Sequence, residues 1–335
     1  MDFQGKRSSP VRTISASASI EKAGFEVVPI NGYIGAEIRG IDLRRSLAPE
    51  QFRVIHNALV EHEVIVMRDQ DITLEQQLAF GRLFGKLSIH PFSPNMKDKP
   101  EVIVLDYSVD NPPALTDVWH SDETFRDIPP LGTILRARIV PTSGGDTLFA
   151  SMTAAYRGLS ERMKKYIHGL EAQHDFKPFR TLFGSSPKER ATLRRLEDSF
   201  PNPWHPVVRV HPVTRKRILN VNPQFTVRIR DMKEDESSHL LQFLYRQALV
   251  PEYQLRVRWQ PNTVVMWDNR SVQHYAPHDY YPRRRLMERV TIVGDRPIGV
   301  SGPYAAESAP DKGGRKQVET GSKPGRSVRR AFERH

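Results

Sequence analysis

The sequence predicts a mainly β fold with flanking helices. Many short segments alternate apolar and polar residues, as half-buried strands do, and only a few have the apolar spacing of a helix. Strands and helices do not alternate as in βαβ units, and the sequence has no internal repeat, which favours an antiparallel sandwich or barrel. It also has no glycine-rich loop of the phosphate- or dinucleotide-binding type.

The predicted elements include two helices with clear start signals. Thr73 and Gln76 form a capping box that opens one helix, and Ser160 is a good N-cap for another. Helices are predicted over residues 49–60, 73–84, 151–170 (with the capped helix at 161–170) and 234–249. Strands are predicted within residues 25–43 and at 64–67, 101–107, 131–140, 207–211, 254–259, 263–267 and 285–292.

One folded domain is predicted over residues 21–300, between two basic extensions. Residues 1–20 and 301–335 are rich in Ser, Gly, Pro and charge, which is typical of disorder. They carry +2 and +4 of the net charge of +11, so more than half of the excess lies at the ends. Within the domain, residues 180–206 are polar and charged, as in an insertion or a lid.

The net charge by itself suggests a nucleic-acid-binding protein, which we keep as a distant alternative. Because the folded part lacks interleaved aromatic and basic residues, no specific nucleic-acid partner is expected. The absence of cysteine excludes disulfides, thiolate metal sites and cysteine nucleophiles, and it is compatible with the cytoplasmic location that we expect. No apolar run approaches the ~20 residues that cross a bilayer, so no membrane partner is expected.

The segment at residues 285–292 is predicted to be a strand with two arginines on one face. Side chains two and four residues apart share a face of a strand, and here these are Arg285, Met287, Arg289 and Thr291. A buried guanidinium group requires an anion, because leaving it unpaired costs several kcal/mol. On this segment alone, a pair of anion-binding arginines and a solvated basic edge strand are equally compatible with the pattern.

His120 and Asp122 are two residues apart, so on a strand both side chains would point the same way. Such a pair alone is more often structural than metal-binding. His274 adds a second imidazole, and two histidines with one carboxylate form the facial triad that leaves open positions on Fe(II). Arg285 follows His274 by eleven residues and could clamp a carboxylate bidentately. An open iron site and such an arginine are what a 2-oxoglutarate-dependent oxygenase requires.

Five motifs in order, between residues 25 and 297, resemble the taurine dioxygenase and 2,4-D dioxygenase family. The motifs are WHSDETF at 119–125, GGDT at 144–147, HPVVRVHP at 205–212, WDNRSVQHY at 267–275 and RRLMERVTIVGDRP at 284–297. The resemblance implies a double-stranded β-helix (jelly-roll) core. It also implies a dioxygenase that binds Fe(II) and uses 2-oxoglutarate and O2 as cosubstrates, releasing succinate and CO2.

The resemblance also assigns roles to residues at matching positions. It implies that His120, Asp122 and His274 bind iron, and that Arg285, assisted by Thr147, holds the distal carboxylate of 2-oxoglutarate. The implied substrate residues are Arg289, which resembles the arginine that binds the anionic group in taurine-type members, together with His90 and Phe225. A homo-oligomer is also expected from the resemblance.

Three departures from the taurine-type pattern bear on the substrate. Ser93 stands where those members have a tyrosine, Thr116 where they have an asparagine, and Glu123 where they have a small apolar residue. Taurine itself is therefore doubtful, and another sulfonate, an alkyl sulfate ester or an aryloxyalkanoate would still provide the anion for Arg289. The alternative is an amino-acid or natural-product hydroxylase on the same scaffold, in which Glu123 would meet a substrate amine.

Overall fold

The computed structural model of the protein describes residues 24–91 and 93–306. The chain divides into two units, Met1–Gly302 and Pro303–His335, and every helix and strand below belongs to the first. The predicted extension at residues 1–20 lies outside the described residues, and so does all of the predicted extension at 301–335 except residues 301–306. No helix of the described part is both long and apolar enough to cross a membrane.

The described residues form fifteen strands. They are β1 (Glu26–Pro29), β2 (Ala36–Arg39), β3 (Val64–Met67), β4 (Val102–Tyr107), β5 (Gly132–Ile139), β6 (Thr147–Ser151), β7 (Glu171–His174), β8 (Trp204–Pro206), β9 (Val208–Val210), β10 (Arg217–Leu219), β11 (Thr226–Ile229), β12 (Gln254–Val257), β13 (Val264–Asp268), β14 (Val272–Tyr275) and β15 (Arg285–Ile292).

Within the described residues, six α-helices flank these strands. They are α1 (Pro49–His62), α2 (Leu74–Arg82), α3 (Met152–Gly158), α4 (Glu161–Tyr166), α5 (Pro187–Ser199) and α6 (Glu234–Tyr245), with short 3-10 turns at Lys177–Leu182, Arg246–Leu249 and Pro251–Tyr253. The prediction of a mainly β fold with flanking helices is confirmed.

Two sheets face each other across the core that supports the site. The larger has seven strands in the order β1-β2-β3-β13-β5-β15-β4, and the smaller has three in the order β12-β6-β14. Side chains from both sheets fill the space between them, including Phe149, Leu255, Val265, Trp267 and Met287. Helices α1 and α2 cover the other face of the large sheet, where a second apolar cluster lies. Because β3 and β13 are buried on both faces, their sequences are almost continuously apolar.

Strand β15 shows the predicted alternation of faces. Met287 packs between the two sheets, whereas Val290 and Ile292 pack on the side of the helices. The alternative of a solvated edge strand is wrong, because β15 lies between β5 and β4 and pairs with both. Arg285 is 4% exposed. The strand therefore carries one buried arginine, Arg285, and one half-buried arginine, Arg289.

Both start signals are confirmed, whereas some helix ends differ from prediction. The Thr73 hydroxyl accepts from the Gln76 amide at 3.2 Å and the Ser160 hydroxyl from the Met163 amide at 3.2 Å. The helix predicted at 161–170 ends at Tyr166, and the chain then turns at Gly169, whose φ is +77°. The segment predicted as polar, 180–206, contains α5, and none of the residues of this helix is buried.

Candidate active site

The backbone brings His120 and His274 together. His274 lies on β14 and forms an isolated antiparallel bridge with His120, in which each amide donates to the other residue's carbonyl, at 3.0 and 2.8 Å. Their imidazole centroids are 4.1 Å apart. The His274 ring also packs 4.8 Å from the ring of Trp267, which holds its orientation.

Asp122 does not continue a strand from His120, as the spacing suggested; it lies in a turn. Asn269 holds this turn: its side-chain oxygen accepts from the Asp122 amide at 2.6 Å, and its amide group donates to the Asp122 carbonyl at 3.0 Å. The next residue, Glu123, has a left-handed φ of 49°. The carboxylate nevertheless reaches the side of the two imidazoles, so the structure brings His120 and Asp122 together without a shared strand.

The three side chains could bind a single metal ion. Their ligand atoms lie within 4.8 Å of one another, and all three residues are buried. The Asp122 Oδ1 atom is 3.8 Å from His120 Nε2 and 3.7 Å from His274 Nε2. Two imidazole nitrogens and one carboxylate oxygen are the donor set of non-haem iron sites with open coordination positions.

Hydrogen bonds and burial give these ligands suitable protonation states. His120 Nδ1 donates to the Val118 carbonyl at 2.7 Å, which leaves the Nε2 lone pair for a metal. Burial lowers the pKa of His120 and of His274, so both are neutral at neutral pH. Burial opposes ionisation of Asp122, but the Arg289 guanidinium and the hydroxyl of Thr133, which donates to Oδ2 at 2.7 Å, help to hold its pKa below the usual range.

A cavity beside this triad contains the arginine at the start of β15. Its lining includes His120, His274, Thr147, Arg285 and Arg289. The Arg285 guanidinium lies 5.9 Å from the ring of Trp259 and 5.7 Å from that of Tyr280, and Nε donates to the Gly145 carbonyl at 3.1 Å. Within the described residues, its Nη2 atom has no hydrogen-bond partner. A buried cation with a free donor is suited to a carboxylate ligand.

The GGDT motif places Gly145 and Thr147 beside Arg285 at the cavity. The Thr147 hydroxyl accepts from the Trp259 indole at 2.9 Å, which orients both side chains. Gly145 has a φ of +73°, and a Cβ atom there would lie 3.2 Å from Arg285 Cδ. Glycine is therefore required both by the left-handed backbone and by the close approach of Arg285.

Arg289 contacts the carboxylate of the triad. One of its terminal nitrogens, Nη2, is 2.9 Å from Asp122 Oδ1 and 3.9 Å from Glu123 Oε1, and its Nε donates to the Thr291 hydroxyl at 3.3 Å. Its side chain is 16% exposed and contributes to the cavity wall. Arg285 and Arg289 therefore place two positive groups at one cavity.

Glu123 is buried next to Arg289. Its Oε2 atom is 2.6 Å from Arg126 Nε and 3.9 Å from His90 Nε2. Burial raises the pKa of Glu123, while Arg126 and Arg289 oppose that rise. Sequence reasoning missed Arg126, although its position three residues after Glu123 was a usable signal.

His90 and Phe225 lie behind the cavity wall rather than in it. The Ser93 backbone amide donates to His90 Nδ1 at 3.1 Å, so the proton of the neutral ring is on Nε2, which faces Glu123. Phe225 packs in a buried aromatic cluster with Phe125, and its ring centroid is 6.2 Å from that of His120.

Comparison with known proteins identifies the chain. The model of the family described as "Taurine catabolism dioxygenase TauD, TfdA family" matches residues 26–291. The chain belongs to the TauD/TfdA family. It is a dioxygenase dependent on 2-oxoglutarate (alpha-ketoglutarate), as the sequence predicted.

Two curated relatives illustrate the range of substrates within the family. The chain is 35% identical over 283 residues to an alpha-ketoglutarate-dependent sulfate ester dioxygenase from Pseudomonas putida, covering 83% of this chain and 92% of that protein. It is 30% identical over 283 residues to an alpha-ketoglutarate-dependent 2,4-dichlorophenoxyacetate dioxygenase from Cupriavidus pinatubonensis, covering 80% and 97%.

Solved structures are similar over the same part of the chain. A taurine dioxygenase from Burkholderia xenovorans matches with a TM-score of 0.71 and 33% identity, over 82% of this chain and 93% of that one. AAD-2, solved with Mn(II) and N-oxalylglycine, matches with a TM-score of 0.66 and 30% identity, over 83% and 100%. These matches confirm the predicted jelly-roll core. The His-Asp-His cluster is consistent with Fe(II).

Proposed function

We propose that the enzyme oxidises a small organic anion: a sulfonate, an alkyl sulfate ester or an aryloxyalkanoate. The observation that carries the proposal is the single cavity bordered by the triad histidines, Arg285 and Arg289. Two separate guanidinium groups suit two separate anions, one on the cosubstrate and one on the substrate. Similarity to enzymes that act on sulfate esters and on 2,4-dichlorophenoxyacetate supports this choice of substrates.

In this proposal His120, Asp122 and His274 hold Fe(II), while Arg285 and Thr147 hold the distal carboxylate of 2-oxoglutarate. Bound together, the iron and 2-oxoglutarate supply the oxidation by O2, with succinate and CO2 as coproducts. The protein's own residues contribute position, charge and the exclusion of water.

The residues around the substrate orient it in the same cavity. Arg289 pairs with the anionic group and turns the neighbouring carbon toward the triad, with His90 and Phe225 supporting that region from behind. Apolar side chains such as Leu105 and Leu135 complete the wall. When the hydroxylated carbon also bears sulfonate, sulfate or aryloxy oxygen, the product breaks down to a carbonyl compound and the leaving group.

The alternative of an amino-acid hydroxylase depends on Glu123 meeting a substrate amine. A substrate amine would have to compete for this carboxylate with two guanidinium groups, those of Arg126 at 2.6 Å and Arg289 at 3.9 Å. A homo-oligomer and a cytoplasmic location remain predictions from the family resemblance and from the cysteine-free sequence.

Anaerobic titration with Fe(II) and 2-oxoglutarate tests the cofactor assignment. The chelate should give a weak visible charge-transfer band in the wild type. We expect His274→Ala to lose the band and Arg285→Ala to require far more 2-oxoglutarate. His239→Ala and Arg283→Ala, both at exposed positions, serve as controls and should match the wild type. A folded wild-type protein without the band would refute the assignment.

A substrate screen tests the anion assignment. Succinate release should depend on a sulfonate, an alkyl sulfate or an aryloxyalkanoate, and Arg289→Gln should raise the KM for that substrate by more than about tenfold. Succinate release that depends instead on an amino acid would favour the alternative hydroxylase.

A further inference from the structure

Two phenol groups line the cavity near Arg285 without any assigned role. Tyr107 is the last residue of β4, and Tyr280 lies in the segment between β14 and β15. Both side chains contribute to the cavity wall. Tyr280 is only 2% exposed and Tyr107 is half-buried, so little water reaches either ring. Polar atoms of this kind are suited to hydrogen bonding with a ligand.

The sheet register places Tyr107 beside Arg285. The two residues are direct Cα partners in the antiparallel pairing of β4 with β15. Side chains opposite each other in such a pair lie on the same face, with Cβ atoms about 5 Å apart. The neighbouring pair on that face is Leu105 with Met287, followed by Ile103 with Arg289. Tyr107 is therefore the polar cross-strand neighbour of the cosubstrate arginine, whereas Arg289 has an apolar one.

The electrostatic surroundings make Tyr107 a hydrogen-bond donor. Burial raises the pKa of its phenol above the usual value, and Arg285 and Arg289 oppose that rise. Burial likewise raises the pKa of Tyr280 to about 12. Both phenols therefore carry their protons at neutral pH, and a protonated phenol beside a guanidinium group can donate to the same anion.

We propose that Tyr107 is a further cosubstrate-binding residue, whose hydroxyl donates a hydrogen bond to the carboxylate held by Arg285. The proposal rests on the proposed function, because it takes Arg285 as the receptor of the distal carboxylate of 2-oxoglutarate. With Thr147 and Tyr107 as neutral donors and Arg285 as the cation, the carboxylate would have three protein partners. No motif indicated this role, since Tyr107 lies outside all five motifs.

The substrate anion is the competing ligand for this hydroxyl. Tyr107 lies within the electrostatic reach of Arg289 as well as of Arg285. Tyr107 is the direct cross-strand partner of Arg285, whereas Ile103 lies opposite Arg289. This register favours the cosubstrate as the ligand of the Tyr107 hydroxyl. A binding experiment without substrate separates the two cases.

The test measures ligand affinity of the Mn(II)-loaded full chain by isothermal titration calorimetry, with no substrate present. The ligands are 2-oxoglutarate and 2-oxopentanoate, which lacks the distal carboxylate. The variants are Tyr107→Phe, Arg285→Gln and the exposed control Tyr166→Phe. Tyr107→Phe keeps the ring, so it removes only the hydroxyl.

We expect Tyr107→Phe to lower the affinity for 2-oxoglutarate about tenfold, which is the effect of losing one hydrogen bond to a charged group. Its affinity for 2-oxopentanoate should stay within about twofold of the wild type, because that ligand has no distal carboxylate. Tyr166→Phe should match the wild type for both ligands.

Two results would overturn the inference alone. One is a Tyr107→Phe variant that binds 2-oxoglutarate like the wild type while Arg285→Gln binds it weakly. The other is an equal loss for both ligands, which would indicate a general change in the cavity. A wild-type protein that binds no 2-oxoglutarate would instead overturn the proposed function together with the inference.

Discussion

The two oxygens of the Asp122 carboxylate have different partners. Oδ1 faces the imidazoles and Arg289, whereas Oδ2 accepts from the Thr133 hydroxyl on β5 at 2.7 Å. A hydrogen bond to the second oxygen fixes the rotation of the carboxylate and leaves the first directed at the proposed metal position. Such outer partners commonly change metal affinity by ~10–100-fold.

We therefore predict that Thr133→Val weakens Mn(II) binding about tenfold, because the carboxylate loses the bond that orients it. Calorimetric titration with Mn(II) measures the change. Thr214→Val, outside the site, is the control, and both variants should be checked for melting temperature. Unchanged Mn(II) affinity in a folded Thr133→Val variant would show that Asn269 and the turn suffice to place Asp122.

Sequence patterns identified the residues with distinctive chemistry but not their neighbours. His120, Asp122, His274, Arg285 and Arg289 follow from spacing and motif, and the structure brings them to one region. Thr133 and Tyr107 are ordinary residue types outside the five motifs, and their importance depends on cross-strand register. Register cannot be obtained from one sequence, because short strands allow several pairings.

At the scale of elements, helix α1 ends at a buried acid. Glu63 adopts a left-handed φ of 66°, and its amide donates to the Leu59 carbonyl at 2.7 Å. The residue is 4% exposed, and its carboxyl lies near the Ser151 and Thr153 hydroxyls at the start of α3. Burial raises its pKa from 4.5 to about 7, despite those hydroxyls.

This shift makes stability depend on pH in a defined direction. Between pH 4.5 and about 7, Glu63 of the folded protein keeps a proton that the unfolded chain has lost. The contribution of Glu63 to the free energy of unfolding therefore falls as the pH rises through this window and levels off above it. Because glutamine cannot ionise, the free energy of unfolding of Glu63→Gln should not show this fall with rising pH.

We compare the free energy of unfolding of Glu63→Gln with that of the wild type. We predict that this difference shifts in favour of the variant by about 2 kcal/mol between pH 5 and pH 8. Urea unfolding at several pH values measures it. Glu61→Gln, at the exposed neighbouring acid, should show no such growth. Parallel pH curves for Glu63→Gln and the wild type would mean that Glu63 ionises normally.

Helix α5 differs from the central strands in how it is held. None of its residues is buried; Leu193 and Leu196 are partly buried against the aromatic cluster that contains Phe225. Strand β13, by contrast, is buried throughout and pairs on both sides. The 180–206 segment therefore suits the lid role expected from the sequence, which remains a proposal.

Hydrogen exchange followed by mass spectrometry should distinguish these elements. We predict that α5 amides exchange at least about a hundredfold faster than β13 amides, because local opening of α5 exposes little apolar surface. Addition of cosubstrate and substrate should slow exchange in α5 if it closes over the cavity. Protection of α5 equal to that of β13 would contradict both its loose packing and the lid proposal.

The short strands around the site were the least predictable elements. Strands β6 and β14, which carry Thr147 and His274, have five and four residues and were not predicted. Segments of this length show too few alternations to stand out, and their pairing within the β12-β6-β14 sheet is what stabilises them. Longer elements such as β5, β15 and α6 were found close to their observed bounds.

At the scale of the whole molecule, ligands that bind only the folded protein should stabilise it. At one hundred times the dissociation constant, a ligand adds about 2.7 kcal/mol to the free energy of unfolding. We predict that Mn(II) with N-oxalylglycine raises the Tm by about 5 °C or more. Scanning fluorimetry measures it, and His274→Ala should show a much smaller rise. An equal rise in His274→Ala would place the stabilising ligands elsewhere.

The bridge between His120 and His274 joins main-chain atoms, so it does not depend on the imidazoles. Replacing either side chain would leave the spacing between the two positions intact. The metal ligands could therefore be exchanged. A cysteine, aspartate or glutamine at position 120 or 274 would extend from the same backbone position as the histidine. A series of such substitutions would show which metal ions bind at this site when the ligand atoms change and the backbone geometry stays the same.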